Sequence, residues 1–289
     1  MAWSRKKKAL VVILSLVVLA FIVSFVAARL ESPSGERIGV VEIEGVISGS
    51  KDVTEDIVTF KEDPEIKGVI LRINSPGGGV GPTQEIYREV IKLKDKKKVY
   101  VSMGTSCASG GYYIASAANR LYANPSTITG SIGVIMELIT VEDVLKKIGL
   151  KSNTIKAGAF KDVGSPFRRM TPVEKEYMDG IVRNIYEQFM KDIAAGRKMN
   201  VDVVRKLAEG RIYTGTMAKE VGLVDDIGNF YDTVDALKQD LKIKGKPVLV
   251  YAEKPFSLSR WIFGTFAQDF FKELTNQLLT SPFKFIMEH

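Results

Sequence analysis

The segment SCASGGYYIASAA, Ser106 to Ala118, places a serine directly before a glycine pair, at the head of a run of small residues. Ser109 in such a turn is well placed to expose a nucleophilic hydroxyl, but a serine hydroxyl attacks at neutral pH only when a neighbouring base takes its proton. Histidine is the usual base, and the single histidine of this chain is its last residue, His289. The single cysteine, Cys107, meets the same obstacle as a nucleophile and has no second thiol for an intrachain disulfide. Lysine is left. Ser–Lys pairs are a known variant of the catalytic triad, and burial in an apolar site can lower an amine from its usual pKa of about 10.4 by several units. Two lysines stand beside glycine-punctuated turns downstream, Lys156 and Lys161, the second after the apolar GAF. One Cys and one His exclude the common zinc sites, and the carboxylates form no cluster, so no metal or cofactor is expected.

A nucleophile also needs donors for the oxyanion. NSPGGG (Asn74–Gly79) and ASGG (Ala108–Gly111) each follow a β-branched, strand-like run. Two successive strand-to-helix turns would place glycine N–H groups around one point, an arrangement worth about 3–4 kcal/mol per donor in hydrolases. NSPGGG is neither a phosphate-binding P-loop, since no GK[ST] follows, nor a dinucleotide fingerprint. Taken singly, a tight turn accounts for its glycines, and a helix N-cap accounts for Ser109.

The elements that must position these groups alternate. RIGVVEIEGVI (37–47), GVILRIN (68–74) and KVYVSM (98–103) read as strands. TQEIYREVIKLK is an amphipathic helix, and the residues after Ser109 form another. LYANPSTITGSIGVI (121–135) reads as short strands broken at Pro125 and Gly130, VEDVLKKIG (141–149) as a helix, and KSNTIKAG (151–158) as a short strand. TPVEKEYMDGIVRNIYEQFMKDIAAGRK opens with a proline and acids, as a long helix does. The alternation predicts an α/β layered domain.

Both ends differ from this middle. Residues 9–28 carry no charge and no proline, and at about 1.5 Å rise per residue they would cross a bilayer core. MAWSRKKK (1–8) is a basic tail, so positive-inside bias predicts a cytoplasmic N-terminus, a transmembrane anchor at 9–28 and an extracytoplasmic domain over 29–250. A cleaved secretory signal is the alternative, with an apolar core longer than such signals use. Removing the four basic residues of the tail from the net charge of +7 leaves +3, no argument for nucleic acid. The aromatic extension 251–289 repeats Trp261, Phe263, Phe266, Phe270 and Phe271 at helical spacing, suited to packing on a core or lying in a membrane interface.

Five motifs in order, INSPGGG (73–79), SCASGGYYIASAA, TGSIGVI (129–135), GAFKDVGSPFR (158–168) and RIYTGTMAKEVGLVDDIG (211–228), resemble the signal peptide peptidase A family of membrane-anchored bacterial serine proteases, in its half-length form. The resemblance covers about residues 37–245. It implies a spiral of ββα units like that of ClpP and the crotonases. It makes Ser109 the nucleophile, Lys161 the general base, Ser131 the hydroxyl that holds the lysine amine, and the N–H groups of Gly78 and Gly110 the oxyanion donors. It further implies a homo-oligomeric ring in which Ser and Lys come from neighbouring subunits, at the cytoplasmic membrane of a bacterium. The expected activity is cleavage of apolar peptides such as released signal peptides, bound extended along a strand edge. Trimming of membrane proteins, a crotonase-like acyl-CoA activity and a non-catalytic scaffold are the alternatives. Export away from cytoplasmic CoA argues against the second, and the complete Ser109, Ser131 and Lys161 set against the third.

Overall fold

The computed structural model describes residues 14–21, 23 and 35–252. Three strands carry the site. β1 (Arg37–Glu44), β2 (Ile66–Ser75) and β3 (Lys98–Ala108) pair in parallel. Their centres are continuous apolar runs, with Val69, Ile70 and Leu71 fully buried, as a sheet covered on both faces requires. Adjacent residues of β1 show both coverings. Ile38 packs on one face with Tyr100, Val234 and Leu237, the last two from helix α8 (Phe230–Asp240). Gly39 points to the other face, where a Cβ would lie 2.8 Å from the Phe60 ring of α1 (Lys51–Glu62).

Each crossover follows its strand. α2 (Val80–Lys94) joins β2 to β3 and buries Thr83, Ile86, Val90 and Leu93 at helical spacing. α3 (Gly110–Ser116) follows β3 and is buried on every side, as its small residues allow. Beyond it come β4 (Arg120–Ala123) and β5 (Ile128–Gly130), both parallel to β3, then the short α4 (Glu142–Lys147) and the long α5 (Pro172–Arg197). A Cβ on Gly196 of α5 would fall 2.2 Å from the Ser116 carbonyl oxygen, so only glycine lets α5 seat against the end of α3. α6 (Val201–Leu207), β6 (Ile212–Thr214), α7 (Gly215–Glu220), β7 (Asp226–Ile227), α8 and β8 (Val248–Tyr251) complete the domain. Among the described residues the sheet order is β6-β5-β3-β2-β1-β8, with β4 between β3 and β7 and only β6 antiparallel. This is an α/β fold with a mixed sheet.

Two sequence expectations change here. The strands expected over 121–135 end at Gly130, and 151–158 forms no strand. Residues 131–141 and 151–156 contain no helix and pair with no strand among the described residues, because a strand needs a neighbour and the chain supplies none there. No helix among the described residues is long and apolar enough to cross a membrane. Leu14–Phe21 is helical, but the rest of the expected 9–28 anchor lies outside the described residues, as does the aromatic extension beyond Ala252.

Candidate active site

Three chain reversals converge at the carboxyl ends of β2, β3 and β5, where open parallel sheets bind their ligands. Ser109 occupies the junction of β3 and α3 with φ 51° and ψ −119°. It stands at the N-cap position of α3, yet its hydroxyl makes no capping hydrogen bond. The N-cap explanation of this serine is therefore not what the fold uses. A strained non-glycine residue on a sharp strand-to-helix turn is the geometry that exposes a nucleophile.

Ser131 lies beside it. The parallel pairing of β3 with β5 ends at Ala108↔Gly130, and Ser109 and Ser131 are the next residues on each strand. Ser109 N–H donates to the Gly130 carbonyl (2.8 Å), and Ser131 N–H to the Arg211 carbonyl (2.7 Å). Ser131 shares the φ of 51°.

The glycine turn closes the other side. A Cβ on Gly77 (φ +104°) would lie 2.7 Å from Gly110 N and 2.8 Å from Ser109 Cβ, so side chains are excluded where the two turns touch. Gly78 bridges to Ile47. Gly77 O accepts from Ile47 N–H, and Gly79 N–H donates to Ile47 O, which leaves the Gly78 N–H outside that ladder. Gly78, Ser109, Gly110 and Ser131 all line one pocket of about 670 Å³.

The pocket walls were not read from sequence. Tyr113, one turn after Ser109, stacks on Tyr87 (4.7 Å) and meets the Phe189 ring edge-on (4.7 Å). Its hydroxyl donates to Asp192, and burial together with that carboxylate pushes its pKa up. Val134, Val182, Ile185 and Tyr186 add apolar surface. Thr83 is 4% exposed and its hydroxyl has no partner among the described residues. That hydroxyl faces Gly110, where a Cβ would sit 2.7 Å from it and 3.3 Å from Gly78 N. Only spacing hinted at Tyr113, and nothing in the sequence marked Thr83.

The remaining candidates separate. Cys107 is fully buried and burial pushes its thiol far up, away from the thiolate a nucleophile needs. The Lys156 ammonium is engaged by Asp162 and by the Ala159 carbonyl (2.8 Å). Lys161 is exposed, makes no side-chain ion pair among the described residues, and does not line the Ser109 pocket of its own chain. No metal-ligating cluster occurs among the described residues, and His289 lies outside them.

A strained serine flanked by glycine turns at the mouth of an apolar pocket, on a Clp-like sheet, defines a serine hydrolase. Residues 40–129 match the Clp protease family model and residues 91–244 the model of peptidase family S49. The chain belongs to peptidase family S49, and it is a serine protease of the SppA type. It is 35% identical over 235 residues to an Enterococcus faecium protein provisionally named signal peptide peptidase SppA, covering 76% of this chain and 68% of that one. Identity with "Protease 4" of Salmonella typhi is 33% over 245 residues, 81% of this chain and 40% of the relative. With "Serine protease SPPA, chloroplastic" of Arabidopsis thaliana it is 34% over 209 residues, 71% and 31% respectively. The chain thus spans well under half the length of the last two. The acyl-CoA reading falls with this assignment.

Proposed function

We propose that the protein is a membrane-anchored endopeptidase that degrades released signal peptides and similar apolar peptides on the extracytoplasmic side, using Ser109 as nucleophile and Lys161 of a neighbouring copy as base. The observation that carries this reading is the pocket itself: Ser109 and Ser131 side by side, Gly78 and Gly110 in its lining, apolar walls, and no lysine among the described residues that line it. Support for a neighbouring copy comes from the arm 131–170. It holds one six-residue helix and leaves Ile135 (91% exposed), Ile139, Leu150 and Ile155 uncovered.

In this mechanism the neutral Lys161 amine takes the Ser109 proton as Oγ bonds to the scissile carbonyl carbon. The carbonyl electrons move to oxygen, where Gly78 and Gly110 N–H groups meet the charge. The resulting ammonium then gives its proton to the leaving amine as the C–N bond breaks. The freed base next activates water, which releases the acyl group from Ser109. Ser131 holds the amine in line. An amine enclosed by apolar walls loses its proton far more readily than one in water. The uncharged run at 9–28 supports membrane anchoring, and the apolar pocket lining supports apolar peptide substrates.

Ser109→Ala and Lys161→Ala are each expected to lower turnover of an apolar fluorogenic peptide by at least about 10²-fold, the usual span of general-base catalysis. An activated phosphonate is expected to label Ser109 in the native protein. Full turnover in Lys161→Ala would end the dyad reading.

A further inference from the structure

The acid next to Lys161 in the chain is occupied by other cations. Asp162 Oδ2 accepts from Arg168 Nε at 2.7 Å, and Oδ1 accepts from Arg168 Nη2 at 2.8 Å and from the Lys156 ammonium. The same guanidinium turns its other edge to a second carboxylate, with Nη1 to Glu174 Oε2 at 2.8 Å and Nη2 to Glu174 Oε1 at 2.5 Å. Glu174 is anchored in its turn, because Thr171 N–H donates to its Oε2 at 2.8 Å within the capping box that opens α5. Arg168 therefore forks between two carboxylates and ties the Lys161 turn to the start of a long helix. Its hydrogen bonds, with Lys156 adding to them, hold the Asp162 carboxyl well below the usual carboxylate range.

These four groups, Lys156, Asp162, Arg168 and Glu174, cancel in pairs. The next charges outward also pair, Arg169 with Asp143 through its guanidinium and with Glu142 through its backbone N–H. Lys161, in the same turn, has no ion-pair partner among the described residues.

We propose that Arg168 is a positioning residue for the Lys161 amine, and that it works by sequestering Asp162. The proposal rests on the reading of Lys161 as base. A carboxylate released one residue away would favour the ammonium form of Lys161 and draw the side chain back toward its own turn. Either effect removes the free amine that must reach the neighbour's serine. Phe160 against Tyr177 (ring centroids 5.0 Å) ties the turn to α5 by apolar contact, and the Asp162 charge is met by the two hydrogen bonds of Arg168 with one from Lys156 beside them.

The test is charge rescue, with Arg168→Met alone and combined with Asp162→Asn. Arg168→Met is expected to lower kcat about 10²-fold with KM within about threefold, the pattern of a lost general base rather than a lost binding contact. The double variant is expected to regain at least about tenfold of that loss. Both variants lack the Arg168–Glu174 pair, so damage to the α5 terminus is common to them and their difference reads the Asp162 charge. Arg168→Lys keeps a cation beside Asp162 and is expected to stay within about tenfold of the parent kcat even if Arg168→Met does not fold. A double variant no better than Arg168→Met, or an Arg168→Lys as impaired as Arg168→Met, overturns the proposal while leaving the dyad intact. Full turnover in Lys161→Ala overturns the dyad, and this proposal with it.

Discussion

Ser109 and Ser131 hold the same left-handed φ of 51°, a conformation that costs a non-glycine residue on the order of 1–3 kcal/mol. The pairing of β3 with β5 over-determines both, because it fixes the backbone up to the residue before each serine. Thr83 adds a third unfavourable feature within the same pocket. A helical threonine ordinarily returns its hydroxyl to the carbonyl four residues back, and Thr83 leaves that bond unmade while facing Gly110. Thr83→Val keeps the shape and removes the orphaned hydroxyl. It is expected to raise stability by about 1 kcal/mol, read from the urea midpoint at unchanged slope. A lowered midpoint would mean that the hydroxyl has a partner in solution.

At the scale of elements, the capping box of α5 makes stability respond to acid. The Arg168 hydrogen bonds, and then the Thr171 N–H, lower the Glu174 carboxyl from 4.5 to about 2. A depressed carboxylate contributes stability that is complete above its unfolded value and is lost as pH falls through its folded one. The melting temperature is therefore expected to decline between about pH 4.5 and 2, and Glu174→Gln to lose part of that decline. An identical acid profile in Glu174→Gln would place the sensitivity elsewhere. This terminus was plain in the sequence, since Thr171, Pro172 and Glu174 spell a helix start whatever surrounds them. The strands read at 37–47, 68–74 and 98–103 were equally legible, though the first ends at Glu44, because burial on both faces demands unbroken apolar runs. The segment 151–158 misled, since its composition suits a strand but pairing depends on a partner outside local sequence. Within the site, Ser109 and the two glycine turns could be found from spacing, whereas Thr83 and Phe189 enter through packing across the fold and left no local mark.

For the whole molecule, the arm 131–170 is the informative region. The described domain buries its sheet on both faces yet leaves Ile135, Ile139 and Ile155 open, with Ile155 101% exposed. Lys161 stands on that arm and is not among the described residues that line the pocket holding Ser109 of the same chain. If the arm carries Lys161 to a neighbour, each site is built from two copies, and two dead variants can repair one another. Ser109→Ala retains a good lysine and Lys161→Ala a good serine, so a site joining the serine of the second to the lysine of the first is complete. In rings assembled at random from equal amounts of both, about a quarter of sites combine the two intact residues. Co-expression of the two variants from one host is therefore expected to restore about a quarter of parental turnover per subunit, where each alone gives at most about a hundredth. A dyad made within one chain forbids this outcome, because every chain then lacks one of its own two residues. Turnover in the mixed assembly no higher than in either variant alone would put the base on the same subunit as its serine, and the exposed arm would need another explanation.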